Sequence, residues 1–396
     1  MKEEEYMRVG TTLYKVINQP CANGGYEKKI VVWNNSTLRQ DYGKDYLATV
    51  PKYDGFCTVP NHLNYQKEVD GFLNLYEPIE HRPQEGEFPH IQSLMLHIFG
   101  EQYELGMDYL QLLYLKPVQK LPILLLVSEE RNTGKSTFLN FLKAVFENNV
   151  TFNTNEDFRS QFNSDWAGKL LIVVDEVLLN RREDSERLKN LSTTLTYKVE
   201  AKGKDRTEIS FFAKFVLCSN NEYLPIIIDA GETRYWVRKI HPLQSDDTQF
   251  LQKLKTEIPA FLYFLTQRKL STIQESRMWF NPKQTHTEAL QRIIRSNRNR
   301  LEIEMTELML DIMSNMNVES VSFCLNDLIP LLVYSQVKVE KYQVRKVVQE
   351  VWKLTAAPNS LSYTSYEFAP HRECRYEPKR KIGRFYTVTK EQLTAI

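Results

Sequence analysis

The chain has 396 residues, and its 51 lysine and arginine residues nearly balance its 50 aspartate and glutamate residues, leaving a formal net charge of +1. Apolar residues make up 42% and charged residues 26%, which excludes collagen-like, low-complexity and mostly disordered proteins. The length predicts roughly two to three domains. Because the summed charge is close to zero, any binding to nucleic acid must come from local basic patches.

Cysteine usage and hydropathy indicate the compartment. No C-x-x-C pair is present, which argues against both a disulfide framework and a zinc site. The first ten residues contain no apolar segment, and the longest apolar runs are far shorter than a membrane span. We therefore expect a cytoplasmic protein that is neither secreted nor inserted in a membrane.

Five segments follow one another along the chain. Residues 1–60 mix β-like runs with turn signals and predict a small β-rich lead-in of unknown function; residues 61–115 predict a connector and a helical region. Residues 116–245 alternate buried apolar runs with helical segments, which is typical of a parallel sheet covered on both faces and predicts an α/β ATPase-like core. Residues 246–316 have helical periodicity, and the order strand, helix, helix, strand, strand in 317–396 predicts a winged helix-turn-helix.

A candidate phosphate-binding loop lies between a predicted strand, Ile123–Val127, and a predicted helix, Lys135–Phe146. A turn ending in Gly-Lys-Ser at this place allows backbone N–H groups and the helix N-terminus to bind phosphates. The predicted nucleotide-binding residues are Asn132, Thr133, Gly134, Lys135, Ser136 and Thr137.

Two side chains of this loop have specific expected roles with ATP and Mg²⁺. Lys135 would neutralise the charge of the β- and γ-phosphates, and Ser136 would ligate Mg²⁺. Glu129 stands where the G-x-x-x-x-G-K-[ST] pattern has its first glycine. Because a carboxylate near polyphosphate is repulsive, this side chain must point away or the loop must follow a different path. The alternative is a chance Gly-Lys-Ser before a helix.

An acidic pair follows the next apolar strand. Asp175 and Glu176 come directly after the run Leu170–Val174, about forty residues beyond Lys135. Asp175 is placed to hold Mg²⁺, directly or through water, and Glu176 to orient and activate the attacking water. A strand ending in two carboxylates is common by itself, but after Gly-Lys-Ser at this separation it indicates a Walker B motif.

A third apolar strand, Lys214–Cys218, runs into Ser-Asn-Asn, so an amide side chain again follows a buried strand. An asparagine there can hold the lytic water or the γ-phosphate. Two arginines, Arg234 and Arg238, follow an acidic loop further along, and such a guanidinium can reach a neighbouring subunit's γ-phosphate. The alternatives are an ordinary loop asparagine and a surface salt bridge.

With these motifs in this order, the sequence resembles a superfamily 3 helicase, specifically the helicase portion of the primase-helicases of phages, plasmids and large DNA viruses, including the poxvirus type. The motifs are Asn132–Ser136, Val173–Glu176, Ser219–Asn221 and Arg234. The resemblance implies an AAA+-like P-loop core and a ring, usually a hexamer, with single-stranded DNA in its channel. It also implies that Asn220 is the sensor and Arg234 the finger, with Asn221 and Arg238 as fallback assignments.

The same resemblance points to a DNA-gripping hairpin between the acidic pair and the sensor. The matching segment is 197–206, in which Lys202 and Lys204 would lie at the tip and follow a phosphate backbone. The alternative is a solvated charged turn. Near the chain end, a basic helix begins near Lys341, and the segment His371–Arg384 carries a net charge of +4 (six basic minus two acidic residues). Such a surface suits duplex or forked DNA, or it is a solvated or protein-docking face.

Together these features predict an ATP-dependent replicative DNA helicase of a phage or mobile element that moves on single-stranded or forked DNA. Two alternatives are a P-loop ATPase that initiates or remodels replication complexes and a nucleotide-regulated DNA-binding protein without unwinding. The first 110 residues offer only scattered acidic candidates for a primase site, so priming is expected from a separate primase or polymerase, or from a longer parent protein.

Overall fold

The computed structural model describes residues 5–20, 26–158, 166, 168–199, 207–229, 231–243, 247–334, 339–371 and 375–394. The chain divides into two compact units. The first unit comprises Met1–Leu178, Glu186–Asn221 and Thr233–Thr287, and the second comprises Leu179–Ser185, Glu222–Glu232 and Glu288–Ile396. Within the described ranges, no helix combines the length and the hydropathy that crossing a bilayer requires.

The first unit opens with two small sheets. Its elements here are β1 (Tyr6–Val9), β2 (Thr12–Pro20), β3 (Tyr26–Val32), α1 (Asn35–Tyr42), α2 (Tyr46–Thr49), β4 (Lys52–Tyr53), β5 (Gly55–Cys57), β6 (Glu68–Val69) and β7 (Phe72–Asn74). The sheet orders are β3-β2-β1-β4 and β5-β7-β6. The connector expected after residue 60 therefore contains paired strands, which are too short to produce a recognisable alternation.

Two helices precede the central sheet, α3 (Pro89–Phe99) and α4 (Tyr103–Leu115). Proline is tolerated at the first position of α3 because the N–H it lacks has no partner inside a helix. Helix α4 is buried almost all round, which explains its nearly continuous apolar sequence. Its buried Asp108 forms an ion pair with Arg268 and accepts hydrogen bonds from Ser271 and Thr272, so the buried charge is compensated.

A five-stranded parallel sheet forms the centre of the first unit. The elements are β8 (Ile123–Val127), α5 (Lys135–Phe146), β9 (Val150–Phe152), β10 (Leu171–Val174), α6 (Arg182–Thr193), β11 (Thr196–Val199), β12 (Thr207–Ser210), β13 (Lys214–Ser219) and β14 (Tyr235–Lys239). The sheet order is β14-β8-β13-β10-β9, and every neighbouring pair is parallel. The predicted α/β fold with a parallel sheet is confirmed.

The register of this sheet sets which residues meet at each end. Val127, the last residue of β8, lies opposite Ser219 and Lys239, while Ile123 at its start lies opposite Tyr235. All strands point the same way, so one edge of the sheet collects the carboxyl ends of the strands and the other edge collects the amino ends. We call these the carboxyl edge and the amino edge.

Strands β11 and β12 form a separate antiparallel pair, with Thr196 opposite Ser210 and Val199 opposite Thr207. The segment that joins them, 200–206, lies outside the described residues, and it contains both predicted DNA-gripping lysines, Lys202 and Lys204. The first unit closes with α7 (Phe250–Gln267) and α8 (Pro282–Thr285).

The second unit is built on the long helix α9 (Glu288–Met316). After it come β15 (Ser320–Phe323), α10 (Leu325–Tyr334), α11 (Lys341–Lys346), β16 (Leu361–Phe368), β17 (Tyr376–Gly383), β18 (Tyr386–Thr389) and α12 (Lys390–Thr394). A single π-helical turn, Val347–Val351, extends α11. Strands β16 and β17 form a long antiparallel hairpin, and β18 pairs with β15. Apolar residues from α9, α10, α11 and these strands share one core.

Candidate nucleotide-binding site

The sequence motifs meet at the carboxyl edge of the parallel sheet. Strands β8, β13 and β10 are consecutive neighbours, so the segments that follow them start side by side. The Gly-Lys-Ser loop follows β8, the asparagine pair follows β13 and the acidic pair follows β10. In open parallel sheets, ligands bind at this edge, where the order of strands reverses on either side of a central strand.

The loop between β8 and α5 has a backbone that glycine permits. Gly134 lies immediately before the helix with φ of +79°, and Asn132 also has a left-handed backbone, with φ of +55°. The Leu243 N–H donates to the Asn132 carbonyl at 3.0 Å, and His97 Nε2 lies 3.0 Å from the Thr133 carbonyl oxygen. The loop is thus fixed from outside at two carbonyls, while the first N–H groups of α5 have no partner within the helix.

Lys135 is buried at the base of this loop. Its ammonium donates to Ser128 Oγ and to Thr133 Oγ1, the latter at 3.1 Å. The Ser128 hydroxyl in turn donates to the Glu130 carbonyl at 2.8 Å. A cation held inside the loop in this way is positioned to neutralise phosphate bound to the surrounding N–H groups.

Ser136 and Asp175 are in direct contact. The Ser136 hydroxyl donates to Asp175 Oδ2 at 2.7 Å, and both side chains are exposed. A hydroxyl and a carboxylate are hard oxygen ligands of the kind Mg²⁺ prefers, and Mg²⁺ at such sites takes its other ligands from water and phosphate. These two residues therefore fit the metal role that the sequence predicts for them.

Glu176 has a left-handed backbone, with φ of +60°, which is uncommon for a residue with a side chain. Its carbonyl accepts from Asn155 Nδ2 at 3.2 Å, and Asn155 Oδ1 accepts from the Leu178 N–H at 3.0 Å. The Val177 N–H donates to the Cys218 carbonyl at 2.7 Å. Hydrogen bonds on both sides hold this conformation, which turns the Glu176 side chain out of the strand direction at the edge of the sheet.

The asparagine pair separates into two roles. Asn220 is exposed, and its Nδ2 donates to Glu176 Oε1 at 3.4 Å, so the predicted sensor is next to the predicted base. Asn221 is half-buried and its backbone N–H donates to Ser219 Oγ at 3.2 Å. The geometry favours Asn220 over the fallback Asn221 as the residue that faces the site.

The two arginines lie at opposite edges of the sheet. Arg234 precedes β14 at the amino edge, where its carbonyl accepts from the Ile123 N–H at 2.8 Å. Arg238 lies near the carboxyl edge, but it is buried and its Nη1 contacts Glu101 Oε1 at 2.5 Å and Gln102 Oε1 at 2.9 Å. The fallback Arg238 is therefore committed to an ion pair within its own unit, and Arg234 is remote from the phosphate loop of its own chain.

Two further predicted residues, Glu129 and Thr137, lie in the loop and in the first turn of α5. Glu129 is exposed, and Thr137 is half-buried. In the described part of the chain the structure thus brings together Lys135, Ser136, Asp175, Glu176 and Asn220.

Sequence reasoning missed three residues that shape this site. Asn155 holds the Glu176 backbone, His97 holds the loop at Thr133, and Glu101 engages Arg238. Each acts through a contact between segments far apart in the chain, and none belongs to a motif.

The segment that contains these residues matches a known protein family. A family of unknown function (DUF5906) matches residues 126–235, a range that includes every candidate residue from Asn132 to Arg234. No curated protein matches the chain.

Among solved structures, the C-terminal region of NrS-1 is similar to this chain. One apo structure has a TM-score of 0.56 at 19% identity, covering 85% of this chain and 83% of that one. Two A-form apo structures of the same region have TM-scores of 0.54 and 0.56 at 18% and 17% identity, covering 85% and 87% of this chain and 83% and 82% of theirs. At these identities the similarity shows the fold.

Proposed function

We propose that this chain is an ATP-dependent DNA helicase that serves the replication of a phage or mobile element. In this proposal residues 116–245 form an AAA+-like P-loop core, and residues 317–396 form a winged helix. The observation that carries it is the contact of Ser136 with Asp175 beside the Glu176–Asn220 pair, all at the carboxyl edge of a parallel sheet. The fold likeness to the NrS-1 C-terminal region is consistent with it.

The proposed chemistry divides among these side chains. Lys135 and the first N–H groups of α5 bind the β- and γ-phosphates, and their positive charge offsets the repulsion among the negative phosphate oxygens. Ser136 and Asp175 hold Mg²⁺, which neutralises charge on the transferring phosphoryl group when it is bound. Glu176 accepts a proton from the attacking water, and Asn220 donates to the same water or to the γ-phosphate.

Hydrolysis would be coupled to movement on DNA. Strands β11 and β12 lie in sequence between the acidic pair and the asparagine pair, so a change around Glu176 or Asn220 would reach them through α6 on one side and through β13 on the other. Lys202 and Lys204 are proposed to follow the phosphate backbone of single-stranded DNA. Replacing both by alanine should make binding less dependent on salt, with the log–log slope falling by about 1.4 (0.7 per phosphate contact).

The first experiment is steady-state ATP hydrolysis with and without single-stranded DNA, using wild type, Lys135→Ala and Glu176→Gln. DNA should stimulate the wild type, Lys135→Ala should lose turnover because phosphate binding fails, and Glu176→Gln should bind ATP without hydrolysing it. Lys143→Ala is the matched control, since it removes a lysine from the other end of α5.

Three outcomes separate the alternatives. DNA-stimulated turnover that Lys135→Ala abolishes, followed by unwinding of a forked duplex, supports the helicase. The same turnover without unwinding favours an initiator or remodeller. Nucleotide binding without hydrolysis in the wild type would favour a nucleotide-regulated DNA-binding protein, and undiminished turnover in Lys135→Ala would refute the site.

A further inference from the structure

Helix α11 of the second unit has one buried and one basic face. Val344, Val347 and Val348 pack into the core of this unit. On the opposite side, Lys341, Tyr342, Arg345 and Lys346 are exposed, Tyr342 to 61%. Lys341 and Arg345 are one helical turn apart, so they lie on the same side of the helix. We call the exposed side chains of Lys341, Tyr342, Arg345 and Lys346 the α11 face.

The charges of the α11 face are available to a ligand. Within the described residues, Lys341 and Arg345 form no ion pair, and Lys346 has only a long contact with Glu350, at 3.7 Å on an exposed surface. Glu340 and Glu350 are the acidic residues of this stretch, so the basic residues outnumber them. Exposed pairs of this kind contribute little and exchange readily for a phosphate.

The β16–β17 hairpin of the same unit presents less positive charge to a ligand than its sequence suggests. Lys379 Nζ contacts Glu367 Oε2 at 2.5 Å, and Lys381 Nζ contacts Asp327 Oδ1 at 2.8 Å and Glu367 Oε1 at 3.1 Å. Asp327, whose side chain is 8% exposed, also accepts a hydrogen bond from the Tyr363 hydroxyl at 2.6 Å. Glu367 contacts both lysines and Asp327 contacts Lys381, so these charges form one network, unlike the isolated pair of Lys346 with Glu350, and the network reduces the net charge that β17 presents to a ligand.

We propose that the second unit binds duplex DNA with the α11 face, and that Lys379 and Lys381 of the hairpin have a structural role. An α-helix fits the major groove, and α10 followed by α11 has the order of a helix-turn-helix, whose second helix enters that groove. Lys341 and Arg345 contact phosphates along the groove. The face has one exposed ring, whereas single-stranded DNA is usually bound by a series of stacking aromatic side chains. This site is separate from the proposed motor and needs no nucleotide.

The test measures binding of the full chain, without nucleotide, to fluorescein-labelled duplex and single-stranded DNA of equal length over a range of salt concentrations. In the double variant Lys341→Gln, Arg345→Gln, the log–log salt slope for duplex should fall by about 1.8 (0.9 per phosphate contact). Single-stranded DNA binding should be unchanged.

The control is the double variant Lys253→Gln, Lys379→Gln. It removes the same two charges from exposed lysines that already contact carboxylates, Asp247 and Glu367. Its duplex slope should equal that of the wild type. Thermal unfolding checks that both double variants are folded, which is expected because all four positions are exposed.

Two results would overturn the proposal. If the α11 variant and the control bind duplex with the same affinity and slope, the face does not contact DNA and is free to serve another partner, such as a protein. If the α11 variant loses duplex and single-stranded binding equally, the helix does not read the groove. Because the assay contains no nucleotide, neither result depends on the ATPase assignment.

Discussion

Gly134→Ala tests whether the shape of the phosphate loop, and not only its charged residues, determines nucleotide binding. Gly134 has φ of +79°, a left-handed conformation that costs a residue with a Cβ about 1–2 kcal/mol. A Cβ added there would lie 3.5 Å from Leu243 Cδ1, which is ordinary van der Waals contact. The steric term is therefore small, and the backbone term is the whole expected cost.

This cost must appear in the free energy of unfolding, in the dissociation constant for nucleotide, or in both. If the contacts of His97 and Leu243 hold the loop in the free protein, unfolding becomes easier by 1–2 kcal/mol. If the loop relaxes instead, nucleotide must restore it, and the dissociation constant rises by about 5- to 30-fold. Denaturant unfolding and titration with a fluorescent nucleotide measure the two quantities.

Gly43→Ala is the matched control. Gly43 also has a positive φ, +87°, here with an extended ψ of 171°, a region that is essentially confined to glycine, and it has no atom within 4 Å of an added Cβ. It follows α1, outside the predicted ATPase core, so Gly43→Ala should lower stability at least as much and leave nucleotide binding unchanged. If Gly134→Ala matched the wild type in both stability and affinity, the loop conformation would have no energetic role and the reasoning would be refuted.

Three further predictions concern the base, the finger and a buried lysine. Asn155→Ala should lower kcat about fivefold or more without changing nucleotide affinity, because it removes hydrogen bonds, each worth about 1 kcal/mol, that hold the Glu176 backbone; unchanged kcat in a steady-state assay would contradict this. Arg234→Ala should bind nucleotide without hydrolysing it, and mixing it with Glu176→Gln chains should restore turnover; a mixture as inactive as its components would exclude a finger acting between chains. Burial lowers the pKa of Lys120 to about 8 from 10.5. Between pH 8 and 10.5 the unfolded chain therefore holds a proton that the folded chain has lost, so the free energy of unfolding should rise with pH by up to about 3 kcal/mol. In denaturant unfolding, Lys120→Met should lack this contribution to the rise.

The sequence predicted those parts of the fold and site that depend on short-range patterns. Strands β8, β10 and β13 are continuous apolar runs, and each is followed directly by polar residues, so both the strands and their ends were recognisable. Lys135, Asp175 and Asn220 each come after one of these strands, and they lie at one edge because parallel neighbours align their carboxyl ends. The spacing between the motifs also predicts the helices between them, because parallel strands need crossover connections that are usually helical.

The parts that escaped prediction depend on contacts between distant segments. Strand β9 has three residues, too few for a pattern, and its place beside β10 is settled only by pairing. The left-handed backbone of Glu176 could not be read from Asp-Glu, because it is imposed by Asn155 and by the contacts of Val177. Similarly, the sequence of the basic segment on β17 left a DNA surface and a solvated or protein-docking face open, and only the structure shows that Lys379 and Lys381 contact Glu367 and Asp327.

The position of Arg234 bears on how the proposed ATPase would work. Lys239, at the carboxyl edge, lies five positions further along the chain, a span of about 16 Å at 3.3 Å per residue. This is longer than an arginine side chain, and Arg238, which is closer, is held by Glu101. Under the proposed function, a guanidinium for the γ-phosphate must then come from another chain. A protein built in this way should hydrolyse ATP only when assembled, so its turnover per chain should rise with protein concentration; a rate per chain that stays constant on dilution to the monomer would exclude a finger supplied by a neighbour.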